Sequence, residues 1–549
     1  MKRNAFFLII DALRYDAVAD PNVRALLMPT LSQFVNEGVI KSLTTNGQVT
    51  QFVAPSIFTS TYPLDFGGYN SGLLNRPASF VELMKNAGLT TCMFEGHDID
   101  GPHGAVERGF GSAEVFYDKR LLLEGFLKKR MLYDIKRWRA GEYTDDEIIK
   151  IAQESYDPIL AHLQDGHLRR SRGWQLRRLG RFSTAEVKQV KQERLLLSND
   201  PMRIIKKIEH IPPYFYFSYL GNKRGGFGLK LRNKVFGILK KVQARTNRML
   251  GLDLKVIPSR PRIPPLAAEV LDRAATVASK MPGPWFIYAH IMDPHDHDII
   301  TRPWNMFTRL RHLPRVIKAR RLQQSSGTPV TRAITYDLSL AYVDKQLDKL
   351  RKRLKASGAL ENTVFFFTGD HGEGWDKARD VALRKEFGYR TFREHITVPL
   401  IVSPANDRQT ATGFHDSMSV GATILDTMNI PHHTSFKGDS IFESGKDAII
   451  TENCGRGNAD IERRDIFFTV TGVTHKIMGV LQGSELTIEY VYDLKNDPRE
   501  LINIRDELSV RPVINELTLA LVNERKELLS ARGYIHNHWA EQSAAKEVS

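Results

Sequence analysis

Four stretches of this chain place metal-ligating or nucleophilic side chains directly after an apolar run. Asp11 closes the run Ala5–Ile10, and a carboxylate there is poised for a cation or, equally, for capping a helix N-terminus. Thr368-Gly369-Asp370-His371-Gly372-Glu373-Gly374 follows the run Val364–Phe367. A carboxylate oxygen beside an imidazole nitrogen suits Zn²⁺, Mn²⁺ or a similar ion, and the glycines let backbone approach closely. The run Trp285–Ile291 contains His290 and leads into Met292-Asp293-Pro294-His295-Asp296-His297-Asp298, three Asp and two His within six residues. The fourth stretch begins at Thr50, in Thr50-Gln51-Phe52-Val53-Ala54-Pro55-Ser56. A hydroxyl at a helix start meets the positive end of the dipole and unbonded N–H groups, which favour an oxyanion or a phosphate. Taken alone, Thr50 is only a helix-capping threonine.

The elements around these residues alternate strand and helix. Ala5–Ile10, Val39–Leu43, Thr90–Phe94, Trp285–Ile291, Val364–Thr368 and Val398–Val402 read as strands. Thr30–Glu37, Thr50–Thr61, Ser79–Ala87, Ala267–Lys280 and Ile334–Ser357 read as helices. That rhythm predicts an α/β fold with a mixed, mainly parallel sheet between helices, and ligands at strand ends. Short apolar runs at Ile466–Val470 and Leu486–Tyr492 predict a small antiparallel sheet near the C-terminus. The expected division is a catalytic domain at 1–118 and 263–444, a basic and mainly helical insertion at 119–262, a small-sheet subdomain at 445–530, and a tail at 531–549.

In this order the segments resemble the sulfatase branch of the alkaline phosphatase superfamily. From Thr50, Thr59-Ser60 and Tyr62-Pro63 follow at the family's offsets of its Thr-Gly and Tyr-Pro. The family's His-x-x-Asp-Pro-His loop is matched by His290–His295 and its Asp-His-Gly-Glu by Asp370–Glu373. Its preceding helix is matched by Tyr336-Asp337 and Tyr342–Leu347, and its Val-Pro-Leu strand by Val398–Leu400. Its closing Tyr-Asp-Leu, Asp-Pro-x-Glu and Asn are matched by Tyr492–Leu494, Asp497–Glu500 and Asn503. The resemblance covers about 1–118 and 264–505. It implies an alkaline-phosphatase-like fold and one divalent ion (Zn, Mn, Mg or Ca) held by Asp11, Thr50, Asp370 and His371. Thr50 is then the nucleophile. His295, with His290 or His97, contacts non-bridging oxygens or protonates the leaving group, and His395 points to the same edge. Asp293 and His297, four apart, match second-metal or substrate contacts; a single metal is preferred.

The departures set the expected substrate. A sulfatase has a cysteine or serine where Thr50 stands, and an arginine where Ala54 stands. Glu95-Gly96-His97 lacks the family's lysine. The substrate lysine before the Val-Pro-Leu strand has no clear match, although Arg384, Lys385 and Arg390 are near. Threonine nucleophiles belong to the superfamily's phosphodiesterases and phosphotransferases. The expected activity is hydrolysis of a phosphodiester or phosphonate monoester through a covalent Thr50 intermediate. The alternatives are transfer of a phosphoethanolamine- or phosphoglycerol-type headgroup to a glycan or lipid, sulfate ester hydrolysis, and a binding protein that has lost the chemistry.

Of the 549 residues, 42% are hydrophobic and 26% charged, which excludes a disordered chain, and only two are cysteines, which excludes a disulfide-stapled scaffold. Charge is uneven. Residues 119–262 hold 33 Lys and Arg against 14 Asp and Glu, and the rest 45 against 49. Leu231, Val235, Ile238, Leu239 and Val242 fall on one helical face there, and Ile211–Leu220 is an aromatic run beside lysines. This composition suits an anionic membrane surface or a lid. No recognised nucleic-acid motif accompanies it. Without an apolar segment long enough for a signal or a span, the expected location is the cytoplasm, peripheral on the inner membrane.

Overall fold

The computed structural model describes residues 3–69, 72–73, 75–96, 106, 108–118, 130–165, 174–179, 184–210, 238, 241–242, 245, 266–297, 309–327, 329–374, 390–455 and 464–534. The strands are β1 (Asn4–Ile10), β2 (Val39–Thr44), β3 (Thr90–Glu95), β4 (Ser112–Asp118), β5 (Trp174–Leu179), β6 (Trp285–Ile291), β7 (Thr363–Thr368), β8 (Thr397–Ser403), β9 (His415–Asp416), β10 (Ile449–Asn453), β11 (Ile466–Thr471), β12 (His475–Gln482) and β13 (Glu485–Asp493). The chain forms two compact units. One is Met1–Asp11, Pro21–Gln33 and Lys85–Phe365; the other is Ala12–Asp20, Phe34–Met84 and Phe366–Ser549.

In the first unit β5, β4, β3, β6 and β1 lie side by side in that order, and every adjacent pair is parallel. β1 and β6 are buried along their whole length, as strands covered on both faces must be, so their sequences are continuous apolar runs rather than alternations. Helix Ala267–Ala278 packs on β6 and on helix Ile334–Ala356. The latter is amphipathic, burying Leu340, Val343, Leu347, Leu350 and Leu354 at the three- and four-residue spacing of one helix face.

In the second unit β2 runs antiparallel to β8 and parallel to β9. β10 to β13 form an antiparallel sheet. Leu517 and Leu521 of helix Arg511–Glu524 share its core with Phe468, Val470, Ile477 and Val491. Helix Thr50–Thr59 packs on helix Met418–Thr427, close enough that a Cβ on Gly421 would sit 3.0 Å from the Ile57 carbonyl. The architecture is thus the expected one: a mixed, mainly parallel α/β fold flanked by helices, with a small antiparallel sheet.

Within 119–262 the described residues include helices Arg130–Arg139, Asp145–Asp165, Thr184–Asn199 and Pro201–His210. These share a core of their own built on Met131, Ile135, Ile148, Tyr156, Val190, Leu197 and Ile205. They are not the whole of it, because β5 pairs in parallel with β4 from Ala113↔Trp174 to Asp118↔Leu179. The insertion therefore extends the sheet as well as adding helices. The aromatic run and most of the 231–242 face lie outside the described residues; Ile238 and Val242 are exposed. Among the described residues no helix is long and apolar enough to cross a membrane.

Candidate metal centre and nucleophile

Thr50 is the first residue of helix Thr50–Thr59, where the helix dipole favours negative charge on its oxygen. The side chain is buried, and its Oγ1 lies 3.5 Å from Nε2 of His371. Nδ1 of His371 is 2.6 Å from the carbonyl oxygen of Gly372. A carbonyl only accepts, so Nδ1 carries the proton and Nε2 presents a lone pair toward Thr50.

Asp370 is held with equal definition. Its Oδ1 accepts the Ala12 amide at 3.1 Å. Its Oδ2 is buried, accepts no hydrogen bond among the described residues, and lies 3.7 Å from His371 Nε2. Ala12 adopts a left-handed φ of 60°, which costs an alanine about 1–2 kcal/mol. The strain is kept because this turn aims the amide at Asp370. Asp11 is the residue immediately before it. Hydroxyl oxygen, carboxylate oxygen and imidazole nitrogen form the mixed hard and borderline donor set of a divalent ion such as Zn²⁺ or Mn²⁺. A buried carboxylate oxygen without a donor is what such an ion satisfies, so the residues fit the group.

The Asp-His-Gly-Glu loop is fastened from several sides. Arg14 donates to the Glu373 carbonyl at 2.8 Å, and the Gly372 amide donates to the His395 carbonyl at 2.7 Å. A Cβ on Gly372 would stand 2.0 Å from the Glu394 carbonyl oxygen, so only glycine fits. His395 is buried. The segment leading into it is pinned by Glu500, which accepts the Arg393 amide at 2.7 Å and pairs with the buried Lys476. Lys476 also donates to the Thr391 carbonyl at 3.1 Å. The closing Asp-Pro-x-Glu motif thus supports His395 rather than the chemistry itself. Tyr62-Pro63 is likewise structural. Arg76 donates to the carbonyls of Tyr62, Pro63 and Asp65, and Arg525 stacks 4.4 Å above the Tyr62 ring while pairing with Glu452 and Asp65.

In the first unit, Asp11, His290 and Glu95 form a buried line. His290 Nδ1 is 2.7 Å from Glu95 Oε1, and its Nε2 is 3.3 Å from Asp11 Oδ2. Burial works against a charge on His290, but the flanking Glu95 and Asp11 carboxylates outweigh it and hold its pKa well above the usual histidine value. Both nitrogens face carboxylates and the ring is fully buried. Asp293 is also engaged: Oδ2 accepts the Ala267 amide at 2.6 Å and Oδ1 the Arg309 guanidinium at 3.2 Å. Burial pushes its carboxyl up, against the pull of Arg309. His297 Nδ1 meets Thr335 Oγ1 at 2.7 Å. These contacts fix the side chains of Asp293 and His297. His295 is partly exposed, with Nδ1 3.2 Å from Asp296. Arg390 is half-buried. His97, Arg384 and Lys385 lie outside the described residues.

Residues 250–430 match the Sulfatase family model. The match covers about a third of the chain. Its fold is similar to that of the phosphonate monoester hydrolase of Agrobacterium radiobacter, at 14% identity and TM-score 0.54, over 96% of each chain. It is also similar to a 2-O GAG sulfatase, at 13% identity and TM-score 0.52, over 96% of this chain and 93% of that one. A sulfatase-like protein from Bacteroides thetaiotaomicron aligns over the same shares at 13% identity and TM-score 0.50. Asp293-Pro294-His295 and Asp370-His371-Gly372-Glu373 lie within the matched residues. Glu95, Lys476 and Arg525 lie outside the matched residues, and pair with His290, Glu500 and Glu452.

Proposed function

We propose that this chain is a divalent-metal-dependent hydrolase of phosphate esters, acting on a phosphodiester or phosphonate monoester, with Thr50 as nucleophile. The observation that carries the reading is the Thr50 hydroxyl at a helix N-terminus, 3.5 Å from a His371 nitrogen whose lone pair is exposed by the Gly372 hydrogen bond. Asp11, Thr50, Asp370 and His371 would hold the ion, which supplies Lewis acidity that lowers the pKa of the hydroxyl. The Thr50 oxygen gives its proton to solvent and attacks phosphorus in line, the bond to one leaving oxygen breaks, and Thr50 is left esterified to a phosphorus that keeps its other substituent. His295 protonates the departing alcohol, and water then attacks phosphorus and releases Thr50. The fold similarity to a phosphonate monoester hydrolase supports phosphorus and that to a GAG sulfatase supports sulfur. Thr50 in the place of cysteine and Ala54 in the place of arginine weigh toward phosphorus.

The test is steady-state kinetics of the metal-reconstituted chain on bis(4-nitrophenyl) phosphate, a phenylphosphonate monoester and 4-nitrophenyl sulfate. A higher kcat/KM on a phosphorus ester is expected. A higher kcat/KM on the sulfate, or no turnover of any probe, would reject the reading.

A further inference from the structure

We propose that Glu95 and His290 are positioning residues that together aim the carboxylate of Asp11, an inference that rests on the metal site proposed above. Strand register brings the three together. β3, β6 and β1 are neighbours, with Glu95 paired to His290 and His290 paired to Ile9. Partners in register project to one face of a sheet, and Asp11 stands two residues beyond Ile9 on that same face. The Asp11 amide donates to the Ile291 carbonyl at 2.9 Å, fixing the backbone. The side-chain contacts then run from Glu95 to His290 Nδ1 at 2.7 Å and from Nε2 to Asp11 at 3.3 Å. A ring held at both nitrogens cannot turn, so it sets the direction of the Asp11 oxygen it touches.

Stability does not explain this line. All three side chains are at most 2% exposed, and buried ionic groups are commonly replaceable by well-packed apolar ones at no loss. The neighbouring positions Ile9, Phe94 and Ala289 show that these strand ends accept apolar residues. Carboxylate–histidine arms behind a metal ligand instead fix ligand geometry, and their loss typically weakens metal binding about 10- to 100-fold.

The experiment is calorimetric titration of Mn²⁺ or Zn²⁺ into the metal-stripped full-length chain, for the parent, Glu95→Gln, His290→Gln and the double variant, with thermal unfolding of each apo form. The expected result is metal affinity about 10- to 100-fold weaker in each single variant. The double variant is expected to be no weaker than the worse single, because the two residues act as one unit. Either single variant that folds suffices. Unchanged metal affinity beside a lowered melting temperature would make the line merely structural and overturn the inference, as would losses that multiply in the double variant. A parent chain that binds no metal would overturn this inference and the metal site together, whereas parent binding with unaltered Glu95→Gln affinity overturns this inference alone.

Discussion

Thr50 Oγ1 and His371 Nε2 stand 3.5 Å apart across 321 residues of sequence. The helix that starts at Thr50 and the turn that ends β7 both terminate there, so a nucleophile and a ligand-type nitrogen meet without any bridging residue. In the neutral ring, the Nδ1 proton accepted by the Gly372 carbonyl leaves Nε2 as the acceptor.

Thr50→Ala is expected to lower kcat/KM on the preferred phosphorus ester by about 10³-fold or more, the scale seen when an essential nucleophile is removed. Thr50→Ser keeps an attacking oxygen and should retain measurable turnover. Intact-mass analysis of quenched wild-type reactions is expected to show one added phosphonyl group, or one phosphoryl group still carrying its second ester, absent from Thr50→Ala.

Gly372→Ala forces a methyl to within 2.0 Å of the Glu394 carbonyl oxygen. Backbone cannot yield there as a flexible side chain would, so a destabilisation of about 1–3 kcal/mol is expected, with weaker metal binding because His371 is the preceding residue. Chemical denaturation and metal titration of the same preparation check both effects.

Lys476→Met leaves the Glu500 carboxylate buried without its cation. The expected cost is about 3–5 kcal/mol. Adding Glu500→Gln should recover part of it, since the amide oxygen can still accept from Arg393. Urea unfolding of the single and double variants measures the coupling.

Asp344 carries a pH dependence. Burial raises its carboxyl from 3.8 to about 6, although the Leu31 amide, in the first turn of helix Pro29–Asn36, works the other way. The folded state therefore binds the proton more tightly than the unfolded chain. Its contribution to stability is complete below pH 3.8 and is lost as pH rises to about 6. Asp344→Asn removes the ionisation and keeps the acceptor. It is expected to raise stability at pH 7.5 by about 1–3 kcal/mol relative to wild type, with a smaller gain at pH 4.5. Urea unfolding at the two pH values decides.

For the basic insertion the expected outcome is co-sedimentation with anionic liposomes at low salt, release at high salt, and no binding to neutral liposomes. Basic residues near an anionic leaflet contribute about 1 kcal/mol each and are screened by added ions. Equal, negligible binding to both lipids would contradict a membrane role.

The residues that end each buried strand were legible in the sequence because the signal is local. A parallel strand covered on both faces is a continuous apolar run, and the first polar side chain after it marks the sheet edge. Asp11, Asp370 and His371 stand out this way, and Thr50 by its helix start and the motif offsets behind it. Strand order and register left no such local mark. β3, β6 and β1 are neighbours although about 190 and 280 residues separate β6 from the other two, and only that adjacency joins Glu95 to His290 and Asp11. The same holds for Arg309 on Asp293, Lys476 on Glu500 and Arg525 on Glu452. β5, rich in arginine, reads as surface helix until its backbone finds the open edge of β4. The sequence by itself determined the α/β class, the strand ends and the kinds of atom offered to an ion or substrate. Which of those atoms face outward and which are held by a buried counter-charge was decided only by the tertiary structure, because burial and pairing depend on neighbours that chain order does not place together.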